Sequence, residues 1–154
     1  MQGDTKVIGF LNRYLRTELT GHKQYLLHSR RCAKWGYGKL AHKQLEYSHE
    51  ESSHAAKLLD RILLLEGTPE LEDLRAIAQK PSVEEQLRLD VDLVTSAIVL
   101  LREAILAARA ALDDGTAALF EEMLVDEEHH LDFLEIQLSL IGQLGAAPYL
   151  QQQM

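Results

Sequence analysis

Two glutamate and histidine pairs with identical spacing stand out in this sequence of 154 residues. Glu51 and His54 are three positions apart, and so are Glu127 and His130. Residues at i and i+3 lie on one side of a helix, so a carboxylate oxygen and an imidazole nitrogen could reach the same metal ion. The spacing therefore predicts metal binding, provided that both pairs lie on helices.

Each pair interrupts an apolar stripe, and Glu18 interrupts a third one. Taken singly, such residues are more often surface groups, or core groups with an ordinary hydrogen bond. Several unpaired carboxylates in one core would be costly without a compensating cation, so the set favours a two-metal site between helices. The neighbouring apolar positions are Leu11 and Leu15 around the first helix's acid, Leu58 on the second helix, and Leu124 and Leu131 on the fourth.

Four long helices are predicted to position these side chains, and no alternating runs of branched residues predict a strand. The roughly 15-residue connection before Ser82 is long enough to cross a helix of about 45 Å. We therefore expect one all-α domain over residues 1–154: a ferritin-like four-helix bundle with a long crossover between helices 2 and 3 and a short C-terminal helix. The expected boundaries are an N-cap at Asp4 or Thr5, breaks at Gly36 and Gly38, a stop at Gly67 and Pro69, a capping box from Ser82 to Glu85, a break at Asp113 to Gly115, and an end near Gly142.

The amino-acid composition limits which classes of ligand and which cellular compartment are expected. The 24 acidic and 16 basic residues give a net charge of -8, which argues against nucleic acid or an anionic membrane as a partner and favours cations. Cys32 is the only cysteine, so no internal disulfide can form. The opening MQGDTKVIGF lacks the features of a signal peptide, and we expect a cytoplasmic protein.

The chain resembles bacterioferritin almost from end to end. The resemblance is carried by GDTKVI at the start, Tyr25, ILLLEG from residue 62, LREAI from residue 101, DEEHH from residue 126, and YLQ near the end. It implies a cytoplasmic iron-storage subunit of a hollow octahedral cage. It also implies oxidation of ferrous iron at a di-iron centre inside each subunit, and haem bound between two subunits through a methionine from each. Matched position by position, the di-iron ligands are Glu18, Glu51, His54, Glu127 and His130.

Two weaker pairs lie off the apolar stripes. Glu46 with His49, and Asp126 with His129, are expected to be surface residues. A cage-lining face that includes Glu46, His49 and Glu50 could nevertheless hold iron loosely.

Two departures from the bacterioferritin pattern limit the expected chemistry. Val94 stands where the family has a bridging glutamate, and Asp90, one turn away, is at best a distant substitute. Three carboxylates cannot balance the four positive charges of two ferrous ions, so we expect weak or single-ion occupancy and slow or absent ferroxidase activity. Ser52 stands at the haem methionine's place, so a homo-oligomer should lack haem bound in the usual way.

Three functions remain open from the sequence. The chain could be an iron-storage cage subunit with an impaired ferroxidase site. It could be a mainly structural subunit that co-assembles with an active, haem-binding partner, since mixed cages are known in this family. It could also be a ferritin-like bundle that binds another divalent metal.

Overall fold

Five helices form the fold, and the described residues contain no strand. The computed structural model describes residues 1–72 and 76–154. This architecture confirms the all-α prediction, with four long helices and a short C-terminal one. The helices are α1 (Thr5–Trp35), α2 (Gly38–Leu64), α3 (Val83–Ala110), α4 (Asp114–Leu144) and α5 (Ala146–Gln151).

Local signals fix most of the helix boundaries. The Asp4 carboxylate accepts hydrogen bonds from the backbone N–H groups of Lys6 and Val7, which caps α1. Gly36 ends that helix in the left-handed region, at φ 91°. The Ser82 hydroxyl caps α3 as predicted. Three boundaries differ slightly from expectation. α2 already ends at Leu64, and α4 continues past Gly142 to Leu144. The break before α4 lies at residues 111–113 and not at Asp113 to Gly115.

Pairwise contacts define the helix directions. α1 and α2 are antiparallel, because His22 contacts Ser48 whereas Ser29, further along α1, contacts Ala41. α2 and α4 are antiparallel as well, because Glu50 meets His130 whereas Arg61 meets Thr116. Since α3 and α4 form a hairpin, α2 and α3 must run in the same direction. The connection between them therefore has to cross the length of the bundle, as the sequence predicted.

That connection follows α1. Asn12 donates a hydrogen bond to the Thr68 carbonyl and accepts one from the Glu70 backbone N–H. Near the other end, Arg31 donates to the Lys80 carbonyl. Residues 73–75 of the predicted crossover lie outside the described residues. The short helix α5 packs on α4, where the Tyr149 hydroxyl donates to the Gln137 side chain.

The apolar core is divided into two clusters by a polar layer. One cluster includes Leu11, Leu58 and Phe120, and the other includes Leu40, Val94, Leu134 and Tyr149. Between them, α1, α2 and α4 bury charged and polar side chains near their midpoints. No helix in the described part of the chain is both long and apolar enough to cross a membrane.

Candidate metal centre

The five sequence-predicted ligands lie in this polar layer and are all 4% exposed or less. α1 supplies Glu18, α2 supplies Glu51 and His54, and α4 supplies Glu127 and His130. One potential ligand atom from each of Glu18, Glu51, His54 and Glu127 falls within 4.8 Å of the others. The structure therefore brings four of the five predicted residues into a single group of metal donors.

His130 lies beside this group without belonging to it. Its Nδ1 atom is 3.4 Å from Glu51 Oε1 and 3.8 Å from Glu127 Oε2. His54 Nδ1, by contrast, lies 3.2 Å from Glu18 Oε2. The centre is consequently asymmetric, since the His54 side has a carboxylate of its own and the His130 side shares those of Glu51 and Glu127.

Both histidines turn Nδ1 toward the centre and Nε2 toward an acid nearer the surface. His54 Nε2 is 2.8 Å from Asp126 Oδ2, and His130 Nε2 is 2.7 Å from Glu50 Oε2. An acceptor on one imidazole nitrogen orients the ring and favours the tautomer that leaves the other nitrogen free to bind metal. The two acids therefore orient the histidine rings so that Nδ1 faces the centre, where it could bind a metal ion.

Sequence reasoning missed these two acids as histidine partners, although a signal was present. Glu50 directly precedes Glu51, and Asp126 directly precedes Glu127. In each case the first acid of the pair reaches the histidine of the opposite helix, while the second faces the centre. A doubled acid beside each Glu-x-x-His pair is the pattern that could have indicated this arrangement.

The surroundings shift the pKa values of the three buried carboxyl groups in opposite directions. Burial raises the pKa of Glu51 and of Glu127 well above the ordinary value, and the nearby Glu18 charge raises both further. Burial also acts to raise the pKa of Glu18, but hydrogen bonds with Glu51 and His54 outweigh it and the pKa is lowered. A proton is therefore bound more readily at Glu51 and Glu127 than at Glu18.

Several buried polar atoms in the centre have no hydrogen-bond partner. They include Glu18 Oε1, Glu51 Oε1 and His130 Nδ1. Unpartnered buried polar atoms are costly, and a cation held among them would offset that cost. Carboxylate oxygens together with imidazole nitrogens are a donor set that suits ferrous iron and other first-row divalent ions. The residues present therefore fit a metal ion.

α3 adds no acid to the centre. Val94 is 1% exposed and belongs to one of the apolar clusters. Asp90 is fully buried one turn away, where it accepts a hydrogen bond from Gln24 Nε2 at 2.7 Å and lies 3.0 Å from His28 Nδ1. These two α1 partners, which the sequence did not reveal, occupy the carboxylate and keep it from replacing a bridging glutamate.

Tyr14 is a further residue of the centre that sequence reasoning did not find. Its hydroxyl donates to Glu127 Oε1 at 3.0 Å, so it holds that carboxylate from the α1 side. Burial raises its pKa well above the ordinary value, and the charges of Glu18 and Glu127 add to the shift. Tyr14 is therefore a neutral hydrogen-bond donor to the centre.

The weaker candidates occupy different surroundings. Glu46 is exposed and contacts His42 and Lys43, at 3.1 and 3.3 Å, and His49 is exposed too. Glu50 is instead engaged with His130, as described above. Asp126 pairs with His54, while its predicted partner His129 is exposed. Within the described residues, Glu50, His54 and Asp126 form a second group of potential ligands.

The position expected for a haem ligand is on the surface. Ser52 is exposed on α2 and takes no part in the buried centre. Of the three methionines, Met123 is buried in the core, and Met1 and Met154 are exposed chain ends. The side chain at this position has no thioether to offer haem iron.

Comparison with known proteins agrees with the fold. Residues 8–144 match the ferritin-like domain family. A bacterioferritin of Streptomyces coelicolor is 45% identical over 150 residues, which cover 97% of this chain and 90% of the relative. A bacterioferritin of Mycobacterium avium is 40% identical over 149 residues, covering 97% and 94%. One from Rhodobacter capsulatus is 43% identical over 145 residues, covering 94% and 90%. The chain therefore belongs to the bacterioferritin family of ferritin-like proteins.

Proposed function

We propose that this chain is a cytoplasmic iron-storage subunit that assembles into a bacterioferritin-type hollow cage and binds ferrous iron at the buried centre. The observation that carries the proposal is the group of four buried ligand atoms within 4.8 Å, contributed by Glu18, Glu51, His54 and Glu127. Surface acids commonly cluster without binding metal, whereas buried acids with unpartnered oxygens need a counter-charge.

The donor arrangement favours one tightly held ion. A single ferrous ion among the four donors receives more than enough negative charge from the three carboxylates. A second ion beside His130 would have to share Glu51 and Glu127 with the first, and α3 offers no further acid. Two ferrous ions would carry four positive charges against three carboxylates. We expect the second position to fill weakly.

The protein's own groups have two roles in binding. Because the pKa values of Glu51 and Glu127 are raised, protons compete with iron for these two carboxylates. Tyr14, Glu50 and Asp126 hold ligands in place through the contacts described above. Reduction of O2 to hydrogen peroxide takes two electrons and one ferrous ion supplies one. A centre that holds a single ion should therefore oxidise iron slowly.

A second candidate function is a mainly structural subunit beside an active, haem-binding bacterioferritin partner. The engaged Asp90 and the apolar Val94 favour it, because α3 cannot complete a two-ion site. Affinity purification from the source cells would then recover a second bacterioferritin chain that carries a methionine beside its Glu-x-x-His pair. Recovery of a pure, mineral-filled homo-oligomer would contradict this role.

The main proposal can be tested with the purified protein. Anaerobic titration with ferrous iron should show one tightly bound ion per chain, and Glu127→Gln should abolish or strongly weaken its binding. Glu128→Gln is the matched control, since Glu128 is the exposed neighbour. Admitting air should give ferric absorbance only slightly faster than iron in buffer. Absence of any bound ion would refute the proposed site, and a rate no faster than that of iron alone would exclude catalysis by the homo-oligomer.

A further inference from the structure

Gly21 lies at a position where the backbone conformation does not require a glycine. It is buried within α1 and is not among the glycines with positive φ. Glycine destabilises a helix interior relative to alanine, because it loses more conformational freedom on folding. An alanine would therefore be expected here unless a side chain has no room.

The space beside Gly21 is filled by the Glu51 side chain. A Cβ atom added at Gly21 would lie 3.1 Å from Glu51 Oε2, 3.4 Å from its Cγ and 3.5 Å from its Cδ. All three nearest atoms thus belong to one metal-ligand candidate. Gly9, in the same helix, has nothing within 4 Å of the corresponding position. Of the two glycines within α1, only Gly21 has such a close neighbour.

We infer that Gly21 is a positioning residue that sets where the Glu51 carboxylate sits in the metal centre. The inference rests on the proposed function, and it names a residue of α1 that is not itself a ligand. Because Gly21 has no β-carbon, the Glu51 carboxylate lies directly against the backbone of α1. Adding a methyl group would push Glu51 Oε2 away from α1 by a few tenths of an ångström, because the contact of 3.1 Å is shorter than ordinary van der Waals contact.

The carboxylate has little freedom to accommodate that push. Glu51 is 3% exposed, and its Oε1 atom already lies 3.4 Å from His130 Nδ1. Its other neighbours in the donor group are Glu18, His54 and Glu127. Metal sites tolerate ligand displacements of only about 0.2 Å in bond length, so a shifted Glu51 should bind more weakly. No other ligand should offset this loss of metal affinity, because α3 has Val94 and not an acid at this position.

The first measurement is Co²⁺ titration of the purified full-length chain, followed by the visible absorbance of the bound ion. Co²⁺ serves as the probe because it does not oxidise in air as ferrous iron does. Gly21→Ala should lower Co²⁺ affinity by roughly tenfold to a hundredfold, the range found when groups that orient ligands are changed. Gly9→Ala, which adds the same methyl group to the same helix in open space, should leave the affinity unchanged. Equal Co²⁺ affinities of Gly21→Ala and the unaltered chain would overturn the inference.

The second measurement is the melting temperature of the metal-free protein in a double-mutant cycle. Glu51→Ala removes the side chain that the new methyl group would meet. In that background, Gly21→Ala should raise the melting temperature by about 2–4 °C, because alanine favours a helix more than glycine does. Gly9→Ala in the unaltered chain should raise it by the same amount. With Glu51 present, Gly21→Ala should give a smaller rise or a fall. The same rise in both backgrounds would show that Glu51 and Gly21 are independent and would refute the inference.

The two measurements separate failure of the inference from failure of the proposed function. If the unaltered chain binds neither Co²⁺ nor ferrous iron, the proposed function is wrong. If the unaltered chain binds Co²⁺ but the Gly21→Ala chain binds it equally well, only the role of Gly21 is wrong. The melting-temperature cycle needs no metal and tests the contact between Gly21 and Glu51 in either case.

Discussion

Val94 is the single residue with the largest expected effect on how much iron the centre holds. It is buried on α3 at the position where bacterioferritins, by the sequence resemblance, have a bridging glutamate. Val94→Glu should raise ferrous binding from one ion to two per chain and accelerate oxidation, because a fourth carboxylate balances the second ion. Anaerobic titration and the ferric absorbance after adding air measure both effects.

Val94→Gln is the control for this change. It buries a polar side chain of similar size but adds no charge, so it should leave one ion bound. Both variants should destabilise the metal-free protein, by about 1–3 kcal/mol, because each buries a polar group without an assured partner. An unchanged ion count in a folded Val94→Glu protein would mean that α3 does not face the centre at this position.

The sequence predicted the ligand candidates better than it predicted their supports. The sequence revealed two Glu-x-x-His pairs, because helical periodicity is a local property. These pairs are Glu51 with His54 and Glu127 with His130. The support of Glu127 by Tyr14, and the room that Gly21 leaves for Glu51, depend on how far one helix is shifted along another. A single sequence does not contain that interhelical register, so these contacts could be found only in three dimensions.

Arg61 connects the second and fourth helices at the start of α4. Its guanidinium donates to the Thr116 hydroxyl at 2.9 Å and to Asp113 Oδ1 at 2.7 Å, while Asp113 also caps α4. Burial acts to raise the pKa of Asp113, but hydrogen bonds from Thr116 and Arg61 outweigh it and the pKa is lowered. The three side chains therefore form a charged network that is only partly accessible to water.

We predict that Arg61→Ala lowers stability by about 2 kcal/mol near pH 7, or roughly 4–8 °C in melting temperature. The deficit should shrink as the pH falls. A lowered folded-state pKa means that the Asp113 charge contributes stability above its unfolded pKa of about 3.9 and loses it as the pH falls through the folded value. Melting temperatures of both proteins from pH 7 down to about pH 3 would test this. A deficit that stays constant over that range would contradict the assigned role of the charge.

Arg88→Ala is the control at the level of helices. Arg88 pairs with Glu84 within α3 at 2.9 Å, and both side chains are well exposed. Exposed pairs of this kind contribute little, so the variant should change the melting temperature far less than Arg61→Ala does. A similar loss in both variants would indicate a general sensitivity to arginine removal.

Helix ends and helix directions differed in how predictable they were. Asp4 and Ser82 act within a few residues of themselves, so the sequence alone offered both as N-caps, the first with Thr5 as an alternative. It identified Gly36 only as a helix break. The parallel course of α2 and α3 was predicted only indirectly, from the length of the connection between them. The end of α2 was predicted slightly too late, because the apolar pattern continues through Leu65, which is buried although it lies just past the last helical residue, Leu64.

The molecule as a whole places its polar layer between two apolar clusters. A layer of that kind costs stability unless its polar atoms find partners, and several buried atoms of the centre find none among the protein's own groups. Metal binding should therefore stabilise the whole bundle. The net charge of -8 acts in the same direction, since it attracts cations.

Haem content is the property of the assembly that a single surface residue should control. Ser52 is exposed on α2, at the position where the bacterioferritin resemblance implies a haem-binding methionine. A serine hydroxyl is a poor axial ligand for haem iron, whereas a methionine thioether is a good one. The chain expressed alone with haem supplied should lack the haem absorption band, and Ser52→Met should acquire it. Ser53→Met, which places the same side chain at the next exposed position, should not. Haem bound by the unaltered homo-oligomer, or equally by both variants, would show that position 52 does not determine haem binding and would remove one reason to expect a haem-binding partner.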